Sequence, residues 1–145
     1  LVQVPSFARM EAPARSNAVM VLVPRALAWF RYAALVTWLA GSVYMLSVGI
    51  DVGWGAYTAT AAFKSVLVGA IIGTIMFINV WVFIWPNQKK IIAATTATVT
   101  QKTPAPPDQP KWARQAFLFS RANTALSISM LFFMIASKNL PSLWS

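Results

Sequence analysis

The charges of this chain leave three long gaps. None falls between Tyr32 and Ile50, between Ser65 and Gln88, or between Ala122 and Ser137. About 20 mostly apolar helical residues cross a hydrocarbon core of about 30 Å. Inside that core a backbone satisfies its own N–H and C=O groups only as a helix or a closed barrel. The gaps therefore predict an all-α integral membrane protein with three transmembrane helices, at about residues 25–49, 61–85 and 111–137. Composition agrees, since 58% of residues are hydrophobic and only 10% charged, against about 25% charged in soluble domains. Residues 1–145 read as a single membrane domain, with a loop over 86–110 that carries a Pro-rich linker.

The net charge of +9 invites a nucleic-acid reading, but its placement argues for topology. Arg9, Arg15, Arg25 and Arg31 precede the first span. Lys89, Lys90, Lys102, Lys111 and Arg114 lie between the second and third, with Arg121 just inside the third. Only Lys64 and Lys138 fall on the opposite side. This positive-inside asymmetry places the N-terminus and the 86–121 segment in the cytoplasm and the C-terminus outside. The expected location is a bacterial inner membrane, crossed several times, with lipid as a partner and nucleic acid excluded.

Along the chain, Leu1 stands where Met would open a complete protein, and the apolar stretch Leu1–Phe7 reads as following a missing start. From Arg9 to Val23, Met10, Ala14, Asn17, Ala18 and Val21 recur at helical spacing, which suits a short amphipathic helix at the interface. Pro24 then fits the first turn of a new helix. Trp29, Phe30 and Tyr32 beside Arg25 and Arg31 form an interfacial belt. Pro86 is expected to end the second span. Ile91–Thr100, rich in Ala, Thr and Val, leaves helix and strand both open. Lys102-Thr-Pro-Ala-Pro-Pro-Asp-Gln-Pro is a semi-rigid extended linker by composition, and Pro141 stops any continuation of the third span.

The inventory of chemistry is short. The sequence has no cysteine and no histidine, which removes thiolate metal sites, attached c-type haem and the commonest general base. No paired carboxylates, no Ser/His/Asp set and no Gly-rich phosphate loop are present. No catalytic or metal-binding residue is assigned, and no cofactor is expected from the chain's own ligands. Contact with lipid, quinone or pigment stays open.

The residues that stand out suit packing and interfaces. Ser65, Gly69 and Gly73 stand four apart, a small-residue ridge along which helices approach closely. Asn79, deep in the second span, needs a partner, and Asn123 near the start of the third is its expected counterpart. The exit of the second span, Trp85-Pro86-Asn87-Gln88-Lys89-Lys90, combines an aromatic anchor, amides for free carbonyls and cations at the negative end of the helix dipole. Arg31, Trp85, Asn87, Lys89, Lys90 and Arg121 are therefore assigned to the interface or to lipid headgroups. A guanidinium such as Arg121 is costly in hydrocarbon unless it snorkels or pairs.

Five strings also carry a resemblance. They are Val2-Gln-Val-Pro5, Pro24-Arg-Ala-Leu-Ala-Trp-Phe-Arg31, Gly73-Thr-Ile-Met-Phe-Ile-Asn-Val-Trp81, Ile84-Trp-Pro-Asn-Gln-Lys-Lys90 and Ser120-Arg-Ala-Asn-Thr-Ala-Leu-Ser127. Together they resemble the urate oxidase N-terminal domain family, which includes the membrane part of bacterial membrane-bound urate hydroxylases. The resemblance implies a four-helix membrane domain, with a fourth span upstream of residue 1. In the hydroxylases a c-type cytochrome domain follows. These 145 residues hold no Cys-x-x-Cys-His.

Three functions follow as expectations. The first is a non-catalytic accessory subunit of a respiratory or photosynthetic electron-transfer complex, packed among its other membrane subunits. The second is the membrane domain of a urate-hydroxylase-like oxidoreductase, passing electrons to a cytochrome on another chain. The third is a small carrier or channel, for which three or four spans and one intramembrane charge make a poor pathway.

Overall fold

A backbone with no polar solvent around it has only itself to bond to, and this chain answers with long helices. The computed structural model describes Ser6 and residues 9–140. The described residues are 89% helical, with no strand among them. Helix α1 runs Ala12–Val52, α2 is the short turn Trp54–Thr58, and α3 runs Ala61–Ile78. A π-helical segment, Asn79–Ile84, leads directly into α4, Trp85–Gln101, and α5 runs Gln109–Asn139. Three helical runs, Ala12–Val52, Ala61–Gln101 and Gln109–Asn139, are long and apolar enough to cross a membrane. The strings at Val2–Pro5 and Pro141 lie outside the described residues.

Two prolines expected to punctuate the chain do not interrupt it. Pro24 lies inside α1, so the amphipathic stretch from Ala12 onward forms the first turns of the same helix as the span. An interior proline forfeits one i→i−4 bond. In apolar surroundings the other backbone groups have no better partner than each other, so the helix continues through it. Pro86 sits in the first turn of α4, straight after the π segment. A π turn inserts an extra residue, and the wider turn relieves the clash between a proline ring and the preceding carbonyls. The side chain of Asn87 then donates to the Phe83 carbonyl at 3.0 Å, supplying an acceptor at this junction with a side-chain donor.

The ambiguous Ala/Thr/Val segment is helical throughout. Thr95, Thr96, Thr98 and Thr100 each donate the hydroxyl to the carbonyl four residues back, at 2.7–2.9 Å. That satisfies the hydroxyl within the helix and removes its competition for other backbone groups. Lys102 closes α4 in the left-handed region, φ 54°. At the other loop, Gly53 has φ 87°, which only glycine adopts without strain. Thr60 caps α3 by accepting the Phe63 N–H at 3.1 Å, as an N-cap hydroxyl does.

Contacts divide the chain into two compact units. One joins the described part of Leu1–Tyr32 with Val80–Arg121, the other Ala33–Asn79 with the described part of Ala122–Ser145. Few side chains are fully covered. Val23, Ala94 and Ala116 are buried in the first unit, and Tyr57, Val66 and Ala136 in the second. Trp29 is 79% exposed, Phe30 69%, Ile50 73% and Ile128 70%. In water such a surface would aggregate. Against lipid tails it costs nothing to expose, and close packing with interhelical hydrogen bonds holds the helices together instead.

Candidate functional site

In the second unit, the small-residue ridge of α3 faces α5. A Cβ added at Gly69 would stand 2.9 Å from Met134 Cε, and one at Gly73 would stand 3.4 Å from Met130 Sδ. Ser65 is 1% exposed. The two glycines thus provide the hollow that the methionine side chains of α5 fill. Elsewhere on α3, the Trp38 ring stacks on Phe77 at 5.6 Å and its Nε1 donates to Thr74 Oγ1 at 3.0 Å. Thr74 Oγ1 in turn donates to the Ala70 carbonyl at 2.8 Å.

Asn79 and Asn123 complete this seam. Asn79 Nδ2 donates to Asn123 Oδ1 at 2.9 Å, and Asn123 Nδ2 donates to the Met76 carbonyl at 3.0 Å. The backbone N–H of Asn79 is shared between the Ile75 and Met76 carbonyls. The amide pair therefore braces the place where α3 widens into the π segment, and it ties that place to α5.

The loop end of the same unit is an aromatic cluster. Trp54 lies directly over Gly49, where any Cβ would meet its ring. Tyr57 packs edge-on against Phe63 at 5.0 Å and is 5% exposed. Burial raises the pKa of its phenol above the usual 10, and the neighbouring Tyr44 adds to the rise.

In the first unit, α4 and α5 meet through Phe83 stacked on Phe119 at 4.2 Å. Asn87 Nδ2 donates to Gln115 Oε1 at 3.3 Å, and Gln109 Nε2 donates to Thr95 Oγ1 at 3.3 Å. Lys90 Nζ lies 5.6 Å from the Trp112 ring and the Arg121 guanidinium 5.4 Å from Phe117. Arg121 is exposed, so its charge is not confined among the helices.

The densest arrangement surrounds Arg31. Its Cζ lies 4.3 Å from the Trp85 ring centroid, 5.0 Å from Trp81 and 4.9 Å from Tyr32. Nη2 donates to the Tyr32 hydroxyl at 3.1 Å. Lys89 Nζ stands 5.9 Å from the same Trp85 ring. Aromatic faces attract cations and Arg most readily of all, so the belt residues of α1 and of the span exit form one cage. The sequence assigned Arg31, Trp85 and Lys89 separately to an interface. It placed Tyr32 beside Arg31 in a belt but offered no signal that Trp81 and Trp85 close a cage around the arginine, because that depends on which residues of two distant segments meet.

The chemistry available in these clusters is packing, hydrogen bonding and cation–π attraction. Among the described residues no group of three His, Cys, Asp or Glu could hold a metal ion. Residues 50–145 match the family model described as urate oxidase N-terminal. No match was found among curated proteins or among solved structures.

Proposed function

The chain belongs to the urate oxidase N-terminal family, and from that membership we propose that it is a non-catalytic membrane subunit of an electron-transfer complex. Its task is to hold other membrane subunits in place. One observation carries the reading: within the uncharged runs, the amides of Asn79 and Asn123 and the indole N–H of Trp38 are engaged in joining helices. Asn79 bonds Asn123, Asn123 bonds the Met76 carbonyl, and Trp38 bonds Thr74. A catalytic or redox domain would keep polar or ligating groups turned toward a substrate or cofactor, and the sequence supplies neither histidine nor cysteine. The large exposed apolar faces suit lipid and neighbouring transmembrane helices alike. The positive-inside bias supports a bacterial inner membrane, with the N-terminal segment and the 86–121 segment cytoplasmic and the C-terminus outside.

Extraction from the native membrane in mild detergent tests this directly, with mass spectrometry and an absorption spectrum of the intact particle. Co-purification with cytochrome, respiratory or reaction-centre subunits is expected. Isolation of the chain alone would sink the proposal. Family membership itself favours a second reading, a urate-hydroxylase-like membrane domain that passes electrons to a cytochrome on another chain. That reading requires a coloured preparation and purine-dependent reduction of a cytochrome. A colourless preparation inactive toward purines counts against it.

A further inference from the structure

Arg31 holds a positive charge that no acid in the described structure offsets. The chain has only three carboxylates, Glu11, Asp51 and Asp108, and among the described residues none forms an ion pair with Arg31. Of the five N–H donors on its guanidinium, the Nη2 edge reaches Tyr32, while Nε is buried without an acceptor. The rings of Trp81 and Trp85 lie 5.0 and 4.3 Å from its Cζ but accept no conventional hydrogen bond from it. A second cation, Lys89, stands against the same Trp85 ring and is exposed. Two cations beside one indole, one of them a guanidinium with unused donors, are suited to an oxyanion such as a phosphate.

Two further features select the kind of phosphate. Lys89 is the first charge after the uncharged run Ser65–Gln88, so the pair of cations lies where apolar chain gives way to charged chain. Moreover, Tyr32 belongs both to the cage and to an apolar groove of about 430 Å³ that it lines with Ala28 and Trp29. A ligand that satisfies both has an anionic head and a hydrocarbon tail. We propose that Arg31 and Lys89, flanking Trp85, bind the phosphate of one anionic phospholipid, with an acyl chain lying along Ala28, Trp29 and Tyr32. This proposal goes beyond the subunit role and does not depend on it.

The test is native mass spectrometry of the purified chain reconstituted separately with phosphatidylglycerol and with phosphatidylcholine. One phosphatidylglycerol is expected to survive delipidation, and phosphatidylcholine is not. Lys89→Gln, on an exposed side chain, should weaken retention about five-fold, the usual effect of one basic residue at an anionic membrane surface. Arg31→Lys keeps the charge but loses the planar fork of donors, and should also weaken retention, with helicity unchanged by circular dichroism. Equal retention of the two lipids, or unchanged retention in both variants, overturns the proposal. Displacement of the lipid by millimolar inorganic phosphate overturns the lipid assignment in favour of a soluble phosphate.

Discussion

Removing the Asn123 amide should cost more than removing the Asn79 amide, although each is half of the same pair. Asn123 makes two bonds, accepting from Asn79 at 2.9 Å and donating to the Met76 carbonyl at 3.0 Å, whereas Asn79 makes one side-chain bond. Interhelical hydrogen bonds within a bilayer contribute about 0.6 kcal/mol on average and up to about 1.7. Asn79→Ala is therefore expected to destabilise by about 0.6–1.7 kcal/mol. Asn123→Ala should cost about 1–3 kcal/mol, since it also strips a donor from the carbonyl at the onset of the π segment. The double variant should fall short of the sum by about 0.6–1.7 kcal/mol, which is the shared bond measured as a coupling energy. Reversible unfolding in mixed micelles, followed by far-UV circular dichroism, gives the three differences. If Asn79→Ala costs as much as Asn123→Ala, or the two effects simply add, the amide pair is not the brace described above.

Other consequences can be checked with the same unfolding assay. Gly69→Leu must displace Met134 and is expected to cost about 1–3 kcal/mol as overpacking, while Gly73→Ala, whose new Cβ meets only Met130 Sδ at 3.4 Å, should be tolerated. Thr60→Ala should lose about 1 kcal/mol of capping at α3, and Thr60→Ser should restore most of it. Tyr57 holds its proton more tightly when folded than when unfolded, so its contribution is complete below about pH 10. That contribution is lost as the pH climbs through the raised folded value. Ultraviolet titration of the phenolates should show a late component that Tyr57→Phe abolishes, and a titration left unchanged by that substitution would refute the assignment.

Much of this arrangement was legible in the residues, because the membrane simplifies the rules. Uncharged runs become helices, and an amide in hydrocarbon must find a partner, which is why Asn79 and Asn123 read as counterparts from the residues alone. The ridge of Ser65, Gly69 and Gly73 announced a close approach but not its occupant, since methionine side chains such as those of Met130 and Met134 adapt to almost any gap. Prolines misled the reading at two places. Pro24 and Pro86 carry strong local signals for a boundary, yet the gain from continuous backbone bonding exceeds the loss of one bond in each case. The π segment that accommodates Pro86 has no signature in Asn79-Val-Trp-Val-Phe-Ile84 itself. The cage was hidden for a different reason: Arg31 and Tyr32 meet Trp81 and Trp85 across some fifty intervening positions, a pairing that periodicity along one helix does not encode.

The threonines of α4 carry a consequence for how deep this helix can sit. A hydroxyl already bonded to its own helix has less demand for water. Thr96, Thr98 and Thr100 are therefore closer to valines in polarity than to serines exposed to solvent, whereas Thr95 also accepts from Gln109. Residue-by-residue transfer scales overstate the cost of immersing this stretch, and after Lys89 and Lys90 it meets no further charge until Lys102. The turns beyond the two lysines are thus less costly to bring against an apolar surface than their count of hydroxyls suggests.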